Sequence, residues 1–358
     1  MKSLPFNRYA LGTCAIAAML TGCGGSEPSI AASGSLPQSS VHPNVIVQSA
    51  GARNAMSGWT PADLQSAYNL PSSTKGNGQI VAVVVAYDNP NASADLNAYR
   101  STFGLPKADF TKYNQLGDTG DYPQGNSGWG VEIDLSIEMV SASCPKCTID
   151  LVESNSASAS DIEAAETEAV TLGARIVSNG FSGSGLDSSF FDKPGVEYLG
   201  SGIAAGDEPA AFDSVVSVGG TVLSKSRNKR GWSETVSSDS PGGCATGVKA
   251  PRWQHVTSYC KDRLENDVAA VAENVEMYDS YGYDGWFSVG GTSISTPFLA
   301  GVFGLAGNAS KQVGGRTFWE AAHQKHLYPP SGGSACPYSR GAYSTCSGWG
   351  TPDGIGAF

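Results

Sequence analysis

The chain has 358 residues, with 22 Lys and Arg against 33 Asp and Glu, a net charge of −11 and only 15% charged residues. This balance argues against a nucleic-acid partner, because counterion release needs clusters of basic side chains that are absent here. The length permits one large α/β core, the 45 glycines suggest many tight loops around it, and the acidic, sparsely charged surface suits an exported protein.

In chain order, "MKSLPFNRYALGTCAIAAMLTGC" opens with Lys2 and Arg8 and continues with an apolar run from Ala10 to Leu20. That run is too short to span a bilayer, so residues 1–22 read as a signal peptide. Leu20-Thr21-Gly22-Cys23 resembles the bacterial lipobox, which implies lipid on Cys23 as the membrane anchor; ordinary signal cleavage nearby is the alternative. Residues 23–56, rich in Ser, Gly and Pro, read as a flexible tether without apolar periodicity. The chain is then expected to be an exported lipoprotein on the periplasmic or cell-surface side, or secreted, and a monomer. Six cysteines remain after Cys14 and Cys23, and sequence-local pairing gives Cys144–Cys147, Cys244–Cys260 and Cys336–Cys346. Fifteen connectivities exist, and the C-x-x-C could instead hold metal or exchange thiols, although no second such pair or nearby His completes a zinc set.

Residues 57–358 read as one α/β domain. "GQIVAVVVAY" (78–87) is a continuous apolar run, the pattern of a strand buried on both faces of a parallel sheet. "NASADLNAYRSTFG" has helical spacing. "CTIDLVES" (147–154) predicts a strand, 160–174 a helix, and "RIVSNGF" (175–181), "GSGIAAGD" (200–207) and "SVVSVGGTVL" (214–223) three further strands. The alternation implies a doubly wound, mainly parallel sheet flanked by helices.

Two stretches carry chemistry. In "SVGGTSISTPFLAGVFGLAG" (288–307) a strand meets a glycine pair and Thr292-Ser293 opens an apolar helix. A serine there sits where backbone N–H groups favour developing negative charge, although Ser and Thr are also ordinary helix starts. A nucleophilic serine needs a base. His42 falls in the tether, while His255, His323 and His326 lack a recognisable catalytic setting, so the base is sought among carboxylates. "VEIDLSIEMVSASCPKC" (131–147) offers Glu132, Asp134 and Glu138. Positions 132 and 136 share one helical face, and Asp134 lies about 200° round from Glu132. Asp134 and Glu138 form their own i,i+4 pair and read as a solvated face.

"GTSISTP", together with "GVEIDLSIEMVSASCP", "GIAAGD", "NDVAAVAENVEMYDSYGYDGW" and the terminal "GWGTPDGIGAF", resembles the sedolisin family of serine-carboxyl peptidases, which have a subtilisin-like fold. The resemblance implies Ser293 as nucleophile, Glu132 as general base and Asp207 as the oxyanion-hole acid. Ser136 falls on the family's second triad Asp, a register taken from the step to Pro145; shifting it by two would make Asp134 and Glu138 the dyad. A hydroxyl at 136 can orient Glu132 but cannot store a proton, and Glu132 is then expected to ionise at lower pH than its family counterpart. The family's calcium ligands appear as Pro329 and Ser344, so no cofactor and no metal are expected. Val85 stands where subtilases carry an Asp, Asp88 reads as a turn residue, and no large prodomain precedes the domain. The resemblance thus implies an endopeptidase acting on peptides or proteins at acidic pH, impaired by Ser136. The alternatives are an inactive relative that binds peptides or proteins and, more distantly, a thiol–disulfide protein built on "CPKC".

Overall fold

The computed structural model describes residues 39–49, 56–254, 257–312 and 314–358. The signal segment, Cys23, residues 50–55 of the tether and His255 lie outside them. β1 (Val41–Pro43) and β2 (Ile46–Ser49) precede α1 (Pro61–Ala67). A capping box starts that helix, with Thr60 and Asp63 exchanging backbone and side-chain bonds. There follow β3 (Ile80–Ala86), α2 (Ala92–Thr102), β4 (Asp109–Asn114), α3 (Ser127–Ser143), β5 (Thr148–Ser154) and α4 (Ala159–Thr171). Next come β6 (Ile176–Asn179), β7 (Phe181–Gly183), β8 (Glu197–Ser201), β9 (Val215–Lys225), β10 (Trp232–Val236), β11 (Gly243–Lys249) and β12 (Asp262–Glu265). β13 (Val268–Val271), β14 (Val275–Asp279), β15 (Gly285–Gly290) and α5 (Thr292–Ala306) complete the frame of the site.

The main sheet runs β10-β9-β8-β6-β3-β5-β4, with β13 also on β9, and is parallel except for β10. The valine-rich β3 lies at its centre, buried from Val81 to Ala86, as a strand covered by helices on both faces must be. This is the expected mainly parallel α/β architecture. Two of the expected strands differ: Gly180 interrupts 175–181 into β6 and β7, and β8 ends at Ser201, leaving Ala204–Asp207 in a loop.

α3 and α5 pack against each other, and each is buried nearly throughout. Asn126 starts α3 by accepting from the N–H groups of Gly128 and Trp129. A helix enclosed on every side shows no polar stripe. Asp134 and Glu138 are therefore not a solvated face: both are fully buried, because α2 and β14 cover that side of α3. The expected bridges Cys144–Cys147, Cys244–Cys260 and Cys336–Cys346 are all formed, as an oxidising compartment permits. No described helix is long and apolar enough to cross a membrane.

The reading of 23–56 as tether throughout needs correction over 39–49. Ser40 bridges Ser158, the Val41 N–H donates to the Ala157 carbonyl, and Val41, His42 and Pro43 pair antiparallel with Gly183, Ser182 and Phe181. Ile46 and Val47 then pair with Gly290 and Val289 of β15. The segment is zipped into the domain along both edges. An apolar residue at every second position (Val41, Pro43, Val45, Val47) is a strand period that the surrounding Ser, Gly and Pro conceal.

Candidate active site

The site gathers where β6, α3 and α5 converge. Gly291 enters α5 at φ 115°, a left-handed conformation that favours glycine. A Cβ there would also lie 1.8 Å from the Asn44 carbonyl oxygen, so glycine is what lets another backbone pass over the mouth of the helix. Two residues on, the Ser293 hydroxyl is buried, donates to the Gly180 carbonyl at 2.6 Å and accepts from the Asn44 N–H at 3.1 Å.

Glu132 reaches the same residue from α3. A Cβ on Gly180 would come 2.2 Å from Glu132 Oε1, so Glu132 and Ser293 both lie against Gly180. The Ser136 hydroxyl donates to Glu132 Oε1 at 3.2 Å, and Oε2 has no partner among the described residues. Burial pushes Glu132 up to about 8, partly offset by the Ser293 and Ser136 hydroxyls, which favour its charged form.

Asp207 makes no described hydrogen bond with this trio. It is half-buried in the loop after β8, accepts from the Ala204 N–H at 2.9 Å and faces His42 and Glu265. Burial raises its carboxyl, the Ala204 N–H and His42 oppose that shift, and neither Ser293 nor Glu132 is among its described partners. Asp134 and Glu138 point to the opposite side of α3, toward Asp95 and Asp279. In the C-terminal loop, Pro329 is exposed and lacks a donor, while the Ser344 hydroxyl is engaged with that of Ser347. Neither side chain is the carboxylate that a hard cation prefers. The sequence reading missed Gly180, whose carbonyl holds the nucleophile candidate, and Asn44, whose N–H meets it. The break at "NGF" was a usable signal for the former, and the alternation around Val41–Val47 for the latter.

No protein-family model matches the chain, and no curated protein matches it in sequence. Solved structures do resemble it. A sedolisin from Pseudomonas, a serine-carboxyl proteinase complexed with pseudo-iodotyrostatin, superimposes with a TM-score of 0.69 at 20% identity, covering 84% of this chain and 96% of that one. Fervidolysin from Fervidobacterium pennivorans, a keratinolytic enzyme related to subtilisin, gives 0.55 at 14% identity over 88% of this chain and 50% of that one. Sphericase gives 0.52 at 14% over 84% and 99%. At these identities the likeness establishes the fold: a subtilisin-like α/β protein of the kind used by serine proteases.

Proposed function

We propose that the chain is a serine endopeptidase in which Ser293 is the nucleophile and Glu132 the general base, with a groove whose resident peptide is its own residues 40–47. One observation carries this reading: an extended peptide lies across the Ser293 hydroxyl, with the Pro43–Asn44 amide nitrogen 3.1 Å from Oγ and behind it the buried Glu132 carboxyl group, one oxygen of which has no partner among the described residues. Edge-strand pairing of this kind binds any extended peptide through its backbone and leaves selectivity to the side chains.

In the proposed reaction Oγ leaves the Gly180 carbonyl, passes its proton to Glu132 and attacks the acyl carbon. Glu132 then returns the proton to the departing nitrogen. The Ile294 N–H donates to the Gly291 carbonyl, and the N–H groups of Thr292 and Ser293, which a helix start leaves without an intrahelical partner, would face the developing oxyanion. Asp207 receives no step here, because its described contacts point elsewhere. The signal peptide, the lipid on Cys23 and export belong to the same proposal. The disulfides support an extracytoplasmic setting.

The second reading, a non-catalytic peptide-binding protein, is favoured by Ser136 at the second acid position and by an Asp207 with no described contact to Ser293. The test uses the full chain, an unfolded protein substrate and two variants. Ser293→Ala should abolish cleavage. Val41→Pro removes the N–H that bonds Ala157, should loosen β1 and should raise cleavage several-fold. Equal cleavage by Ser293→Ala removes the proposed nucleophile. An unchanged rate in Val41→Pro shows that β1 does not compete with substrate. Absence of cleavage in native and Val41→Pro chains, with retained peptide binding, establishes the second reading.

A further inference from the structure

On the side of α3 away from Ser293, carboxyl groups from three elements converge. Asp95 comes from α2, Asp134 from α3, and Asp279 from the end of β14. All three are buried, and each offers an oxygen lying within 4.8 Å of the others. Glu138, fully buried one turn along α3 from Asp134, faces the same group: Asp134, Asp95 and Asp279 all press on its charge.

The hydrogen bonds show which way these acids are held. Asp95 accepts from the Ser280 N–H at 2.9 Å and the Ser280 hydroxyl at 2.7 Å. Asp279 Oδ1 accepts from the N–H groups of Tyr281 (2.6 Å) and Gly282 (2.9 Å). Asn89 Nδ2 donates to Asp134 Oδ2 at 2.7 Å, and the Tyr278 N–H donates to Glu138 Oε2 at 3.2 Å. Donors arranged around carboxyl oxygens favour the ionised form. Yet the remaining oxygens, Asp134 Oδ1, Asp279 Oδ2 and Glu138 Oε1, have no partner, and no described ion pair includes any of the four acids. Glu197 provides the contrast: it is buried alone, neither of its oxygens has a partner, and it needs only its own proton to be neutral. Four converging carboxyls held by N–H donors are a different case, since their mutual repulsion must be offset by shared protons, as between Asp134 and Asp95, or by a cation.

From this geometry we propose that Asp95, Asp134, Glu138 and Asp279 form a buried binding site for a hard divalent cation of the calcium type. The unpartnered oxygens supply the inner ligands, and the donors from 278–282 and Asn89 hold the carboxylates in orientation, the usual arrangement of an oxygen cage and its outer shell. Calcium fits better than magnesium, because an all-carboxylate protein cage leaves little room for the waters magnesium retains. A surface depression of about 420 Å³, lined by Tyr278, Ser280, Tyr283 and Trp286, lies beside the same 279–285 turn. The site is distinct from the C-terminal loop of Pro329 and Ser344, and it ties α2 to α3 and to the β14 turn.

The experiment takes the full chain, stripped with a chelator, and titrates Ca²⁺ by calorimetry while following the thermal midpoint. One equivalent should bind and raise the midpoint by several degrees. Asp279→Asn and Glu138→Gln should each weaken binding by tenfold or more, whereas the exposed Asp239→Asn should not. Tb³⁺ emission excited through the neighbouring Trp286 and Tyr278 reports the same site in any variant too unstable for calorimetry. Lack of Ca²⁺ or Tb³⁺ binding by the native chain at millimolar metal overturns the proposal and leaves shared protons as the answer. So does binding that survives both substitutions.

Discussion

Gly180 is the residue on which the chemistry turns. Its carbonyl holds the Ser293 hydroxyl, and its bare Cα leaves room for Glu132 Oε1. Gly180→Ala sets a methyl 2.2 Å from that oxygen and 3.2 Å from the Ser136 hydroxyl, so the Glu132 carboxyl group must move. The chain should still fold, with cleavage of a protein substrate lowered by at least tenfold, a loss read as kcat rather than KM. Ser136 is the complementary case. Its hydroxyl orients Glu132 from 3.2 Å but cannot share a proton with it. General acid–base participation contributes about 10²- to 10⁴-fold in rate, so Ser136→Asp should raise kcat/KM by an order of magnitude or more. An unchanged rate would mean that orientation by the hydroxyl is all that position supplies.

Among the elements, β1 and α3 departed most from their sequence reading. β1 is short and lies in a polar stretch, yet it lies between Ala157–Ser158 and β7, and its backbone bonds are protected on both edges. In the Ser293→Ala chain the Val41 N–H, which donates to the Ala157 carbonyl, should therefore exchange slowly with deuterium. A peptide competing for the groove should expose it. Rapid exchange of this group in the absence of competitor would show that the strand does not hold the groove. α3 was legible as a helix, because its apolar residues and its Asn126 start are local signals. The surroundings of its acids were not legible. A helix face bearing Asp134 and Glu138 looks solvated until α2 and the β14 turn, distant in sequence, close over it.

Over the whole molecule, buried acids set the response to pH. Burial raises Glu197 well above the ordinary range, Glu153 to about 9 and Glu265 to about 8. The folded state thus keeps protons that the unfolded chain releases near pH 4. Their stabilising contribution is complete below that point and declines as pH rises toward about 8 to 9. In chelator-containing buffer the thermal midpoint should fall by several degrees between pH 5 and pH 8. A midpoint that rises over this window would show that these carboxyls are ionised in the fold.

The sequence by itself determined the α/β alternation, the central strand within 78–87 and the helix opening at Ser293, because each is written in neighbouring residues as period or cap, whereas the local disulfide pairs were one of fifteen connectivities until the fold joined them. The meeting of Ser293 with Glu132 on Gly180, the pairing that brings Asn44 onto Ser293 and the convergence of four acids behind α3 were decided only in three dimensions. Each of these depends on what packs against a side chain from more than a dozen residues away, and burial and partner together set the charge an acid carries.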